Sequence, residues 1–450
     1  MKLTKQDKYH LHSRASFFSH TKDLVKTDNV DKAVDHIFKR QEIKDLCLDI
    51  PKWNPKKNRN KTAKQRAELR KERRQQVTEL NHLWVLQMME NNKGLIEKMT
   101  LFWHGHFACN TKDNPHGTMQ LNNVLRTNAL GNFRDLLNSV SKSPSMINYL
   151  HLRQNKKGKP NEDFARELCE LFTLGRDVDY TEKDVTEIAR AFTGWTFNED
   201  GNHFVNLKKH DSGEKTIFGK IGNFGGEDVL NMILANKNCA KHIATKVYRF
   251  FVQEEKIDSH ISELTDVLYQ SNYEITPMMK YLFKAEWFYQ TKGKIIKSPI
   301  ELLVGLGKMF ALKYTNGKSI IRIQHYLGHV LFEPPNVAGW AGGRQWIDAS
   351  RFALRLRLGS LILNKGYLMD ELSPELDAQI QKRTKKKDLV FFEEIDWNAF
   401  WQKNESTQKN PLELYHLIIR CENKILQKQY ANADVKTIIK LVSTPDFQLA

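Results

Sequence analysis

Apolar residues recur at intervals of three and four along most of this chain, and stretches of strict alternation are scarce. That interval marks one face of an α-helix, so the pattern points first to an all-α class. The stretch Asn161–Trp195, NEDFARELCELFTLGRDVDYTEKDVTEIARAFTGW, shows it most fully. Phe164, Leu168, Leu171 and Phe172 form one buried stripe; Val185, Ile188, Ala189 and Phe192 form a second. Asn161 reads as an N-cap and Gly175 as a stop, and Thr181 with Asp184 reads as a capping box. Glu167 and Glu170 lie three apart beside the first stripe, and Arg166 and Arg190 lie nearby. Two readings are open. The carboxylates are metal ligands or an acid/base pair, or they form a solvated edge neutralised by arginine.

The same periodicity recurs elsewhere. Helices are expected on either side of a break near Asn91–Gly94, over about Leu121–Val140, over most of 228–314, and after Ser298-Pro299. The loop 196–228 carries short β-like pieces at Phe204–Leu207 and Thr216–Phe218, which predict one small β-hairpin. The expected architecture is a large multi-helix bundle with long irregular loops. A length of 450 residues admits two or three domains or one large helical unit, and a hydrophobic content of 40% is enough for a sizeable core. The divisions expected are N-terminal helices over 1–50, a basic linker or insertion over 51–75, a helical core over 76–370, and C-terminal helices over 371–450 packed on that core.

Charge is uneven. The formal net charge is +17, and Lys52–Arg74 alone holds eleven Lys/Arg against two Glu. A second cluster spans Lys382–Lys387. Such runs bind anionic polymers, nucleic acid among them, or serve as solvated linkers. Trp53 is the only aromatic in the first run, so a base-stacking platform is not indicated. The five cysteines are far apart with no CxxC, which argues against a disulfide framework or a Cys-based zinc site. The N-terminus lacks the apolar run of a standard secretory signal, and no stretch approaches the length of a membrane helix. As written, the chain reads as cytoplasmic.

Two further stretches carry candidate chemistry. FWHGHF places His104 and His106 about 200° apart on an ideal helix, so they converge on a metal only if the helix ends near Gly105. His210 and Asp211 are adjacent in a loop. GHVLFEPPNVAGWAGGRQWID, Gly328–Asp348, cannot form a continuous helix; Trp340 and Trp346 are platforms for a ring or pins to the core.

Six blocks together, EKMTLFWHGHF, PNEDFARELCELFTLG, YTEKDVTEIARAFTGW, HDSGEKTIFG, KSPIELLVG and PPNVAGWAGGRQWI, resemble the bacterial family called domain of unknown function 1800. The resemblance runs from about Tyr9 to the C-terminus. It implies a helical fold, export for many members, and genes that sit beside those of a sulfatase-like family, but no established reaction. A site assembles from these residues if the blocks meet in space. His104, His106, His210 and Asp211 would then hold a divalent metal (Zn, Mn or Fe). Glu167, Glu170, Arg166 and Arg190 would be the catalytic groups, and Trp195, Trp340, Trp346 and Asn336 would contact substrate. The leading expectation is a metal-assisted hydrolase of a polysaccharide or sulfated sugar. The alternatives are a non-enzymatic partner or maturation factor of a sulfatase-like protein, and a binder of anionic polymer.

Overall fold

The protein is described from a computed structural model covering residues 1–39, 43–50, 61–90, 94–176, 178, 180–313, 317–363, 395–430 and 432–450. The Lys382–Lys387 cluster and the first part of the basic run, residues 51–60, lie outside the described residues. Helices dominate, and among the described residues strands occur only as two antiparallel pairs. No described helix is long and apolar enough to cross a membrane.

The helix Gly94–His106 sits at the centre, and all of its residues except Gly105 are buried. Its one acidic residue, Glu97, is completely buried and meets the equally buried Arg126 through two hydrogen bonds, Nε to Oε1 at 2.7 Å and Nη2 to Oε2 at 3.1 Å. The indole N–H of Trp84 donates to Oε2 at 2.7 Å, and the Gln87 amide donates to Oε1 at 2.8 Å. Arg126 Nη1 also donates to Asn123 Oδ1 at 2.8 Å, and Asn123 in turn holds the backbone of Leu46. One carboxylate thus ties together the helices Ala63–Met89, Gly94–His106 and Pro115–Thr127 and the segment before them.

Two hydrophobic clusters flank this helix. The first gathers the N-terminal helices with residues 95–289. The second gathers Val77–Met88, residues 300–363 and the C-terminal helices, including Leu414, Ile418, Ile438 and Leu441. The helix Ala63–Met89 runs unbroken across residue 75, so the basic run feeds directly into a core helix.

Several details differ from expectation. The helix expected over Leu121–Val140 is two, Pro115–Thr127 and Phe133–Ser141, because Asn132 caps the second by accepting from Arg134 N–H at 2.8 Å. The single expected hairpin is two. Strand β1 (Trp195–Phe197) pairs with β2 (His203–Val205), and β3 (Lys215–Ile217) pairs with β4 (Lys220–Gly222). The two β-like pieces read from sequence therefore belong to separate hairpins. The second is anchored where the Asp184 carboxylate accepts Phe218 N–H at 2.7 Å.

Removing one member of the buried pair should be far worse than removing both. Arg126→Met should cost about 3–5 kcal/mol, whereas Glu97→Leu/Arg126→Met should recover much of that loss. Chemical denaturation of the three proteins measures it, and equal losses would contradict the role given to the pair.

Candidate functional site

The expected site residues fall in three places. The first is the Asn161–Trp195 region. Its helix begins at Asp163 and, from Leu168 to Thr173, widens into a π-helix, a local form often found where function requires it. Arg166 is engaged by Glu182 through two bonds at 2.9 and 2.7 Å and by Glu162 at 3.1 Å. Glu170 takes Arg176 at 3.1 Å. Glu167 is half-buried and has no hydrogen-bond or ion-pair partner among the described residues. Burial, then the neighbouring Glu170 carboxylate, pushes it above the usual range.

The second place is the loop that follows. Arg190 donates to Asp211 at 2.9 Å and to Glu187 at 2.7 Å, and the guanidinium holds Asp211 below the ordinary carboxylate range. His210 donates from Nδ1 to Thr193 O at 2.8 Å. These contacts fasten the loop to the helix Glu182–Ala191. Trp195 is 2% exposed and packs against Phe192 and His203, with ring centroids 4.8 and 4.3 Å away. It is a core residue.

The third place is a cavity of about 230 Å³ where the two hydrophobic clusters meet. The end of the central helix, the turns around Lys246–Glu254, the residues Ile295–Glu301 and the loop His329–Trp346 enclose it. His106, Trp340 and Trp346 from the expected set line it; His104, Glu167, Glu170, Arg166, Arg190, His210, Asp211, Trp195 and Asn336 do not. Asn336 instead folds the loop beneath it, its Oδ1 accepting Ala338 N–H at 3.0 Å.

The helix continues to His106, so His104 and His106 point apart, as the periodicity required, but both are buried. His104 Nε2 accepts Phe332 N–H at 3.1 Å, which fixes it as a neutral ring protonated on Nδ1, and burial lowers its pKa to about 3. His106 Nε2 lies 3.0 Å from Phe172 O and must donate, leaving Nδ1 with a lone pair. His242 caps the adjacent Leu171 O at 3.0 Å. Two imidazoles thereby satisfy orphan carbonyls at the end of the π-helix. Among the described residues, no three His, Cys, Asp or Glu side chains are grouped to hold a metal ion. The four expected ligands each have another engagement.

Sequence reasoning missed much of the lining: Lys246, Arg249, Glu254, Ser298, Glu301 and His329. Ser298 and Glu301 lie within KSPIELLVG, and His329 opens the Trp340 loop, so the blocks themselves carried that signal. Lys246, Arg249 and Glu254 gave none. Glu301 is buried against Lys98 and lies 3.6 Å from Arg14. Glu254 accepts Arg344 N–H at 3.3 Å. Lys246 and Arg249 have no ion-pair partner among the described residues, and burial, then Arg249, lowers the Lys246 pKa. His329 stacks on Trp346 at 4.9 Å and 11°, and Trp340 tilts over both His329 and His104. The ring nitrogens His106 Nδ1 and His329 Nδ1 are buried without a hydrogen-bond partner among the described residues.

A family model described as a protein of unknown function (DUF1800) matches residues 10–449. The chain belongs to that family. No curated protein and no solved structure matches it.

Two outcomes follow from this geometry. Gly339 has φ +82°, and a Cβ there would lie 2.4 Å from Gly105 O, whereas a Cβ at Gly105 meets nothing within 4 Å. Gly339→Ala should therefore lose about 1–3 kcal/mol and Gly105→Ala little or none, read from thermal melts. The second concerns acid. His104 and His329 are held at about 3 and His242 at about 4, from an ordinary value of 6.5, by burial first. Between those values the unfolded chain binds protons that the folded chain refuses. Stability should thus be full above about pH 6.5 and fall on acidification, by about 1.4 kcal/mol per pH unit for each such histidine. Urea midpoints at pH 7 and pH 5 test this; equal midpoints would contradict it.

Proposed function

We propose that the cavity binds a small polyhydroxylated anion with a flat face, the class to which a carboxylated or sulfated sugar belongs, and that His106 supplies base chemistry there. The observation that supports this reading is the pair of unpartnered buried imidazole nitrogens beside Lys246 and Arg249. An unsatisfied buried polar atom costs about 1–3 kcal/mol. His106 Nδ1 can only accept a hydrogen bond, because its other nitrogen donates to Phe172 O. It therefore calls for a ligand hydroxyl or a water. Lys246 and Arg249 call for negative charge, and Trp340 offers a ring face.

The same arrangement gives a route to hydrolysis. A water or hydroxyl donating to His106 Nδ1 is placed to lose its proton to that nitrogen. Bound negative charge would favour the imidazolium that results, offsetting the burial that now holds His106 far below its ordinary pKa. Glu167 and Glu170 stay outside this step.

A second reading rests on a separate observation. The first turns of Ala63–Met89 are exposed, and Arg66, Arg70, Arg73 and Arg74 are spaced to share one side. That stripe suits an anionic polymer.

Calorimetric titration tests the first reading with glucuronate against neutral glucose. Glucuronate should bind at least tenfold more tightly, Lys246→Gln should weaken it about tenfold, and Gly105→Leu, which fills the cavity, should abolish binding while the fold persists by circular dichroism. Equal binding of both sugars, or full binding by Gly105→Leu, would overturn the reading. Salt-graded retention on heparin tests the second: Arg66→Ala/Arg70→Ala should elute at lower salt than the parent.

A further inference from the structure

A second, much smaller cavity, of about 20 Å³, lies between Ser13, Lys297, Glu301, Arg420 and Phe447. Its volume suits one water-sized or halide-sized occupant. The surrounding charge is unbalanced. Arg14, Lys98 and Arg355 are each 1% exposed, and Arg420 is 9% exposed. Among the described residues, the one carboxylate acting on Arg14, Lys98, Lys297 and Arg355 is Glu301. Both of its oxygens are committed, one to Lys98 and the other to Ser298 N–H at 2.8 Å.

The donors facing the small cavity are only partly used. Lys297 Nζ donates to Phe447 O at 2.6 Å and lies 4.0 Å from the centre of the Phe447 ring. Arg420 directs Nη1 at backbone carbonyls of the preceding helix, and its Nε–H is buried with no partner among the described residues. The nearest compensation is the Tyr9 ring face, 5.5 Å from the guanidinium. A buried cation with an unused donor is costly unless something supplies the missing acceptor.

We infer that this cavity is a site for one chloride-sized monovalent anion, held by Arg420 Nε–H and the Lys297 ammonium. The anion would seat the segment Lys294–Glu301 against the C-terminal helices, where Lys297 N–H already pairs with Gln448 O at 2.8 Å. It is a structural ligand, and the inference does not depend on what occupies the larger cavity.

Bromide, a heavier halide, gives the direct test. Crystals of the full chain grown in sodium bromide should show an anomalous peak between Arg420 and Lys297, and ordinary water density there without such a peak would overturn the inference. In solution, replacing methanesulfonate by chloride at constant ionic strength should raise Tm saturably by about 1–3 °C. Arg420→Gln should lose that increment. Identical melting in both salts would overturn the inference, as would an unchanged increment in Arg420→Gln. If Arg420→Gln does not fold, the bromide map of the parent protein decides.

Discussion

The structure depends on one buried ion pair, Glu97 with Arg126. Two charges without solvent are tolerable only when geometry and further hydrogen bonds replace water. Here both carboxylate oxygens are satisfied twice over, by Trp84 and Gln87 as well as by Arg126. Each donor comes from outside the helix that carries Glu97. The pair therefore fixes how that helix is rotated, which apolar packing alone would leave loose because the helix is buried nearly all round. A uniformly apolar rod can turn in its socket; a rod with one charge that fits only one partner cannot.

That rotation decides the site. It sends His104 and His106 to opposite sides, and each then organises a different backbone. His104 accepts Phe332 N–H and so places the start of the loop that ends in Trp346. His106 caps Phe172 O and so joins the helix to the widened turn at Leu168–Thr173. Between them, Gly339 crosses directly over Gly105 O, and Glu254 holds Arg344 N–H from the far wall. The cavity forms because several separate parts of the chain are pinned to that one short helix end. Gly105, with no side chain and nothing in front of it, is the opening they enclose.

What could be read from the sequence was local. The stripes Phe164/Leu168/Leu171/Phe172 and Val185/Ile188/Ala189/Phe192 are buried as their spacing required, except that Leu171 is half-buried against the same core. The Thr181–Asp184 box and the Ser298 cap form as read, whereas the helix expected to start at Asn161 has Glu162 at its N-cap, and Asn161 Oδ1 accepts Asp163 N–H just ahead of it. These are properties of four to eight neighbouring residues, and periodicity and capping report them faithfully. The charged residues behaved differently. Glu97 finds Arg126, Arg190 finds Asp211 and Lys98 finds Glu301, 29, 21 and 203 positions away. No spacing rule announces such partners. For the same reason Arg190 and Asp211, both expected at a site, answer each other and fasten a loop, while Lys246 and Arg249, which carried no motif, face the cavity. The π-helix was equally hidden, since its six residues keep an α-helical pattern of apolar positions.

Glu301 shows why the large cavity is electropositive. It lines both cavities and is the acid that Arg14, Lys98, Lys297 and Arg355 share. Against burial, Lys98 and Arg14 with the Ser298 N–H hold it at about 2, and its charge is already spent on them. Toward the large cavity it offers little net negative potential. Glu254 accepts the Arg344 N–H and keeps its charge, so beside Glu301 the charged lining is two cations, Lys246 and Arg249, against one carboxylate. This carboxylate, which sequence reasoning did not single out, is the counter-ion of a buried cationic cluster. What it leaves to the cavity is a positive rim over two imidazole nitrogens that have lone pairs or protons to share and nothing yet to share them with.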